Sequence, residues 1–380
     1  MKTKSILLMT CAVFMVACSN DSTVADVSKN EAISFTSSIK SMTKAVYTSE
    51  TFDKFKVYAF VDGSATDQDW SDDVVKVNAN KWVTSQIRNW PDEGDKQLTF
   101  FAYAPSDLNP TISRTEQKLA EFTPKSALAD QQDIVTAYNT GTRNGNKQGV
   151  DLKFRHALTQ IEILATNEDV LRYKVEVLGS KLVRVKNKAK MKFPTSATEA
   201  ATWSDLTGEQ SYSDKLPAAI TLNDSPQRVM NDGNNWMMLP QQLEAWNKSG
   251  VDGTNNKKSY IAILLRISYA GGDAVYPNKK DGAVAAKFAY AAIPVATNWE
   301  IGHKYTYTLK FFGTGGGAGF IADELTDLSN PTDPDIDDKP KAGWNADTMI
   351  GQPIIDGVIN FNVTIEDWIQ GGENDITIEN

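Results

Sequence analysis

Apolar residues in this chain come in short runs, rich in β-branched and aromatic side chains and separated by turn formers. Phe55 to Phe60, Leu98 to Tyr103, Asp133 to Tyr138, Ile161 to Leu164, Tyr260 to Ile267 and Tyr305 to Leu309 all have this form. Polar clusters of Gly, Asn, Asp and Pro divide them. No window of useful length keeps an apolar period of 3.6 residues, so the runs predict strands and not helices. Short strands with frequent turn signals pack as sandwiches, and the fold class read from the sequence is all-β.

The first residues have the form of an export signal. Lys2 and Lys4 precede a short uncharged apolar run from Ile6 to Ala17, too short to cross a bilayer as a stop-transfer helix. Met15-Val16-Ala17-Cys18, followed by the polar Ser19-Asn20-Asp21, resembles a bacterial lipobox. There the cysteine thiol receives a diacylglyceryl group and becomes the mature N-terminus. Residues 1–17 are therefore expected to be a signal peptide, with lipidation at Cys18 and an anchor in the outer membrane. The other cysteine, Cys11, lies within the apolar run and leaves with it. A mature chain of this kind has no disulfide, catalytic thiol or cysteine metal cluster, and its core alone must hold it together. Without Lys2 and Lys4, the 39 basic side chains fall to 37 against 48 acidic ones, a balance of −11. So acidic a chain argues against nucleic acid as a partner.

The length suits two domains. The stretch from Asn139 to Gly149 has turn formers and no apolar residue, so the boundary is expected there: 18–148 for the N-terminal domain and 149–380 for the C-terminal one. A second weak stretch, 313–344, opens with glycines and turns to Pro and Asp, and reads as a flexible excursion before the last strands. From Val183 to Phe193 a period of two sends Arg184, Lys186, Lys188, Lys190 and Lys192 to one face and Val183, Val185, Ala189, Met191 and Phe193 to the other. The basic face is either a strip for an acidic partner or, as is commoner, a solvated face that discourages edge pairing. Phe361, Val363 and Ile365 alternate with polar residues, followed by Trp368 and Ile376-Thr377-Ile378, and Ile33, Phe35 and Ile39 do likewise near the other end. Both ends of the chain are thus expected to join sheets.

Catalytic chemistry finds little support. The two histidines, His156 and His303, have no zinc-binding spacing, and His156 sits among strand residues where a hydrogen-bonded structural role is the better reading. The glycines of 313–319 lack a Walker lysine and a following helix, so they do not predict a phosphate cradle. Asp333, Asp335 and Asp337 have the alternate spacing of a calcium loop without its central glycine and terminal glutamate, and Pro334 intrudes. No carboxylate pair is marked out for glycoside cleavage, and the nine tryptophans sit mainly in strand or turn contexts that favour packing. No cofactor and no enzymatic activity are expected.

Several segments together resemble the fimbrillin family, the lipoprotein-derived type V pilins of Gram-negative bacteria. They are Ile33 to Phe35 with Thr43 to Ala45, Phe55 to Phe60, Trp90-Pro91 and Leu98 to Pro105. Further along come Leu152 to Ile161, Met238 to Gln241, Trp299 with Gly302 to Tyr305, and Phe361 to Trp368. The resemblance implies two tandem transthyretin-like β-sandwiches and a structural role in a cell-surface pilus. It also implies export as a lipoprotein, a trypsin-like cut after a basic residue beyond the first strand, and filling of the emptied groove by a strand of a neighbouring subunit. The matching position here is Lys44-Ala45, with lysine where arginine is usual. The removable segment would be Ser19 to Lys44, the donor the region from Phe361 to Asn380, and the partners other pilin subunits. A lipid-anchored surface adhesin or glycan-binding module that never polymerises is the alternative.

The lipobox generates a direct expectation. Wild-type protein partitions into detergent with an acyl mass at Cys18, and Cys18→Ala loses both; a wild type without the acyl mass refutes the lipoprotein reading.

Overall fold

The computed structural model describes residues 31–39, 51–78, 81–231, 233–247, 257–278, 287–327, 329–355, 357–367 and 376–379. The expected signal peptide, Cys18, Lys44, Ala45 and Trp368 lie outside the described residues.

The N-terminal part begins with β1 (Ser34–Ile39), β2 (Lys54–Val61), β3 (Trp70–Asn78), β4 (Lys81–Thr84) and β5 (Leu98–Ala104). Next come β6 (Thr111–Ile112), β7 (Gln117–Phe122), β8 (Val135–Gly141) and β9 (Val150–His156). Seven of these close into a barrel in the order β1-β4-β3-β2-β5-β8-β9. Alternate side chains point inward, so Phe55, Val57 and Ala59 of β2 meet Phe100, Ala102, Leu152, Phe154 and Trp82 in one buried cluster.

The break expected at 148/149 falls inside this barrel. The turn formers from Asn139 to Gly149 end β8 and make its hairpin to β9, where the Asn146 amide donates to the Thr142 carbonyl at 2.9 Å. Turn formers mark a hairpin as readily as a linker, and only the pairing of β9 with β1 and β8 tells them apart. The barrel ends at His156.

The chain continues through β10 (Thr159–Asn167), β11 (Tyr173–Val185), β12 (Lys188–Lys192), β13 (Thr202–Thr207) and β14 (Gln210–Thr221). Then come β15 (Gln227–Arg228), β16 (Trp236–Met238), β17 (Gln241–Gln242), β18 (Tyr260–Tyr269), β19 (Ala274–Tyr276) and β20 (Ala289–Pro294). The last are β21 (Asn298–Trp299), β22 (His303–Phe311), β23 (Phe320–Ile321), β24 (Asn360–Asp367) and β25 (Ile376–Glu379). One sheet runs β15-β10-β22-β24-β25, with β16 also on β10, and the other β14-β11-β18-β20-β23, with β19 on β18. Ile161, Ile163, Tyr305, Tyr307, Phe361 and Val363 of the first meet Val175, Val177, Ile261, Ile263 and Ala291 of the second in a shared core. This is a β-sandwich.

A small sheet, β13-β12-β7-β6, takes two strands from each half of the chain and ties barrel to sandwich. Tyr103 packs on Phe193 at 5.8 Å, and the Trp203 indole N–H donates to the Ala157 carbonyl at 2.5 Å. His156 lies at this junction, 1% exposed, with its Nδ1 at 2.7 Å from the Asp133 carboxylate. The lysines of the expected basic face are solvated and answered by acids: Lys186 by Glu209, Lys188 by Glu121 and Lys190 by Asp205. Val183, Val185, Ala189, Met191 and Phe193 are buried on the other side. Arg184 leaves the alternation; at φ 53° it turns in to pair with Asp323.

The segment 313–344, read from the sequence as a flexible excursion, is strapped to the sandwich. Ala318, Ile321 and Ala322 are fully buried and Phe320 nearly so. Lys181 of β11, 1% exposed, donates to the Thr326 carbonyl at 2.7 Å and lies 4.2 Å from the Tyr290 ring centroid. Ser213 donates to Asp327 at 2.8 Å, and Lys215 bridges Asp333 and Asp335 at 2.7 Å each. Asp333 and Asp335, two of the three aspartates spaced like a calcium loop, are thus partners for Lys215 of β14.

Burial alone would raise the Asp327 carboxyl, but the Ser329 hydroxyl and amide, Ser213 and Lys181 hold it below the usual range. Asp333 is likewise held down against burial by Lys215 and the Asp335 amide. A carboxyl whose folded pKa is depressed contributes stability above its unfolded value, about 4 for Asp, and loses it as pH falls through the folded value. The strap is therefore expected to loosen below about pH 4 before the sandwich melts. Hydrogen exchange at the Ile321 and Ile336 amides, corrected for intrinsic rates, should accelerate at pH 3 relative to pH 6 while β18 stays protected; equal protection refutes the electrostatic account of the strap.

Candidate functional site: the seat of the first strand

β1 is the strand through which the barrel closes. It pairs parallel with β9 from Phe35↔Val150 to Ile39↔Phe154, and antiparallel with β4 at Ser34↔Val83 and Phe35↔Trp82. Just before it, the Ile33 amide donates to the Arg88 carbonyl at 2.7 Å and the Trp90 amide to the Glu31 carbonyl at 3.0 Å. Removing β1 would open both neighbouring strand edges at once, leaving their amides and carbonyls unpaired.

The seat is aromatic. Phe35 is fully buried and meets the edges of Phe55 and Phe100 at centroid distances of 6.0 and 5.5 Å. Around it, Phe52, Phe55, Trp82 and Phe154 pack with centroids 4.8 to 6.0 Å apart. Truncating a core phenylalanine of this kind to alanine costs about 3–5 kcal/mol. Gly149 fixes how closely β1 can lie: at φ +105° it sits where a Cβ would stand 3.2 Å from the Ser34 carbonyl oxygen and the Phe35 carbonyl carbon. A side chain there would be strained by the backbone and would push β1 from β9.

The fit of β1 is uneven. Ile33 and Phe35 fill their places, but the next inward position is Ser37, whose hydroxyl is closed off from solvent with no hydrogen-bond partner among the described residues. A buried hydroxyl without a partner costs about 1–3 kcal/mol relative to one that is bonded. Only the backbone pairing of Ile39 with Phe154 is described at the far end. The strand is thus anchored at its start and poorly matched in its middle.

At the other end of the chain the last two strands differ in kind. β24 pairs with β22 along its whole length, from Lys310↔Asn360 to His303↔Asp367, and sends Phe361 and Val363 into the core. His303 and Lys304 reach its acids at 2.8 Å for Asp367 and 3.7 Å for Glu366. Among the described residues β25 pairs only with β24, over Ile365↔Ile376 to Asn362↔Glu379, and forms the edge of the sheet. The region expected as a donor from Phe361 onward therefore divides into a built-in strand and an outer one. The sequence showed alternation in both, but not which of them the core holds.

Comparison with known proteins adds to this geometry. The sequence matches the family described as fimbrillin-like over residues 43–323. It is 26% identical over 358 residues to the fimbrium subunit Fim1C of Phocaeicola vulgatus, covering 81% of this chain and 92% of that protein. A fimbrial protein of Bacteroides vulgatus superposes with a TM-score of 0.49 at 19% identity, over 73% of this chain and 94% of its own. A fimbrial assembly protein of Parabacteroides distasonis gives 0.42 at 8% identity, over 92% and 99%. With most of its length matched by that family, and with an all-β architecture to suit, this chain belongs to the fimbrillin-like family.

Proposed function

We propose that the protein is a structural subunit of a cell-surface fimbrium, built as two transthyretin-like units and exported as a lipoprotein acylated on Cys18. A cut between Lys44 and Ala45 then frees its first strand, and subunits join by strand exchange. The observation that carries the reading is the seat of β1. A strand that closes a barrel between two neighbours, yet has an unmatched hydroxyl in its middle, is one that a better-fitting strand can replace. The cut falls in the chain between β1 and β2, so it removes the covalent link and leaves β1 held by pairing and by apolar contacts such as those of Ile33 and Phe35. An alternating apolar strand from another copy then supplies the same ladder bonds and fills the same pockets.

β25 is the natural donor. Its loss costs the sandwich one outer set of ladder bonds, whereas withdrawing β24 would expose Phe361 and Val363 and open the core. Exchange swaps an internal set of contacts for an equivalent external one, so the drive comes from the emptied seat, and uncut precursor stays monomeric. Acylation at Cys18 holds the precursor on the outer membrane until the cut.

Two measurements test this. Trypsin-treated full-length protein is expected to lose the segment ending at Lys44 and to elute as oligomers, whereas protein truncated before Ile376 stays monomeric after the same cut. Clean cutting with no oligomer refutes exchange and favours the anchored adhesin. Replacing the unmatched hydroxyl by Ser37→Val should stabilise the precursor by about 1–2 kcal/mol in urea unfolding. The same change should slow oligomer formation after cutting, because β1 then stays in its seat; an unchanged rate with raised stability would show that β1 release does not limit assembly.

A further inference from the structure

The two walls of the seat are backed unequally. On one side, β4 is laddered to β3 along its length, from Val74↔Thr84 to Asn78↔Lys81. On the other, β9 pairs with β1 from Val150 to Phe154, and among the described residues its ladder with β8 is confined to Val135↔His156 and Thr136↔Arg155. Where β8 passes the first half of β9, a side chain bridges the gap: the Asn139 amide group donates to the Asp151 carbonyl at 2.6 Å. The Asn139 side-chain oxygen accepts from the Thr140 amide of β8 itself, at 2.8 Å. The stretch 150–154 thus takes its strand ladder from β1.

Without β1, that stretch keeps its inward packing. Val150, Leu152 and Phe154 are buried, and the Phe154 ring lies 4.8 and 4.9 Å from the centroids of Phe52 and Phe55. Those contacts belong to the cluster that also contains Phe35, so losing β1 thins it. Gly149 lies against the Ser34 and Phe35 carbonyls, so the turn into β9 loses a neighbour as well. A strand laddered on one edge only, and there by two residues at its end, opens locally more readily than one laddered on both.

Lys153 stands within this stretch, opposite Ser38 of β1, with its side chain 63% exposed. The Asp151 carboxylate is 3.9 Å from its ammonium and itself exposed, a pair too weak to mask it. Other basic residues of the barrel strands are placed differently. Lys54, Lys56, Lys76 and Lys81 lie on ladders among β2, β3, β4 and β5, which stay closed when β1 leaves, and Arg155 lies opposite Thr136 of β8. A protease cleft takes its substrate as an extended strand, pairing with a free edge and seating one side chain in a pocket. An opened β9 offers such an edge with an outward lysine on it.

We propose that Lys153–Phe154 is a second cleavage site for a basic-specific protease, closed while the seat is filled and opened when it stands empty. Hydrolysis there breaks the amide C–N bond; water gives its hydroxyl to the Lys153 carbonyl carbon and a proton to the Phe154 nitrogen. The cut divides the barrel chain from the sandwich that follows it. A subunit that has lost β1 and received no guest is thereby broken in two, while one whose seat is filled survives. The proposal rests on the strand-exchange reading and adds to it the fate of the unfilled subunit.

Trypsin digestion followed over time by mass spectrometry tests this. Uncut precursor should give no fragment ending at Lys153. Once the segment up to Lys44 is lost, protein truncated before Ile376 has no β25 to donate. It should acquire that end about tenfold faster than full-length protein, whose oligomers fill the seat. An excess of a synthetic peptide spanning Glu31 to Lys40 should restore protection. Lys153→Gln, at an outward position, should abolish the fragment and leave the cut at Lys44 and the oligomers unchanged. An end at Lys153 that forms in uncut precursor, or at one rate with the seat filled and empty, overturns the proposal and leaves strand exchange intact. So do oligomers of full-length protein with no end at Lys153 in the truncated one. No cut at Lys44, or a clean cut with no oligomer from full-length protein, overturns both readings, because no guest then fills the seat.

Discussion

Closure of the barrel by β1 is the constraint on which the N-terminal half depends. Among the described residues β4 and β9 have no other partner on that side, and Phe35 of β1 belongs to the aromatic cluster between them. An unpaired strand edge beside exposed apolar rings is costly, so the seat must be filled by some strand. Here it is filled by a segment at the beginning of the described chain, tied to its place by Ile33 and Phe35 and weakened by Ser37. Ile33 and Phe35 on one side and Ser37 on the other thus pull the hold of one short strand in opposite directions.

The sandwich is held in another way. Its two sheets share an apolar core, while the acidic stretch after β23 is fastened over the outer face of β11, β14 and β18 by Lys181, Arg184 and Lys215. Burial lowers the Lys181 pKa, and Glu324, Asp327 and Asp323 oppose that shift. A buried ammonium is tolerable only because a carbonyl, a ring face and several carboxylates surround it. Glu162 in β10 shows the same pattern with the sign reversed: burial would raise its carboxyl, and Lys304 and Arg228 hold it down. The acidic part of the strap therefore depends on charge pairing and the core on packing, so acid is expected to loosen the first before the second.

Much of the architecture was legible in the sequence because strands announce themselves locally. Phe55 to Phe60 lies within β2, Leu98 to Tyr103 within β5, and Tyr260 to Ile267 within β18. Asp133 to Tyr138 overran its strand, because β8 begins at Val135 and Asp133 turns instead to His156. What could not be read was non-local. The partners of the acidic strap lie more than a hundred residues earlier, so its Pro and Asp content pointed to a linker. The hairpin at Asn139 to Gly149 had the composition of a boundary, and only β9's pairing with β1 reveals otherwise. The seat itself was half visible: alternation marked β1, but the closeness enforced at Gly149 and the orphaned hydroxyl of Ser37 are properties of the folded chain.

The mixed pairing of β1 has a consequence for any strand that takes its place. With one parallel and one antiparallel neighbour, the seat is not indifferent to direction: a guest running backwards would reverse its relation to both walls and shift every bond. A host of this kind reads the polarity of its guest as well as its side chains. If β25 of one copy fills the seat of the next, as proposed, each joint points the same way as the last, because seat and donor are different parts of one molecule. The growing object would have a distinguishable head and tail, and could lengthen from one end while the other stays fixed to the cell.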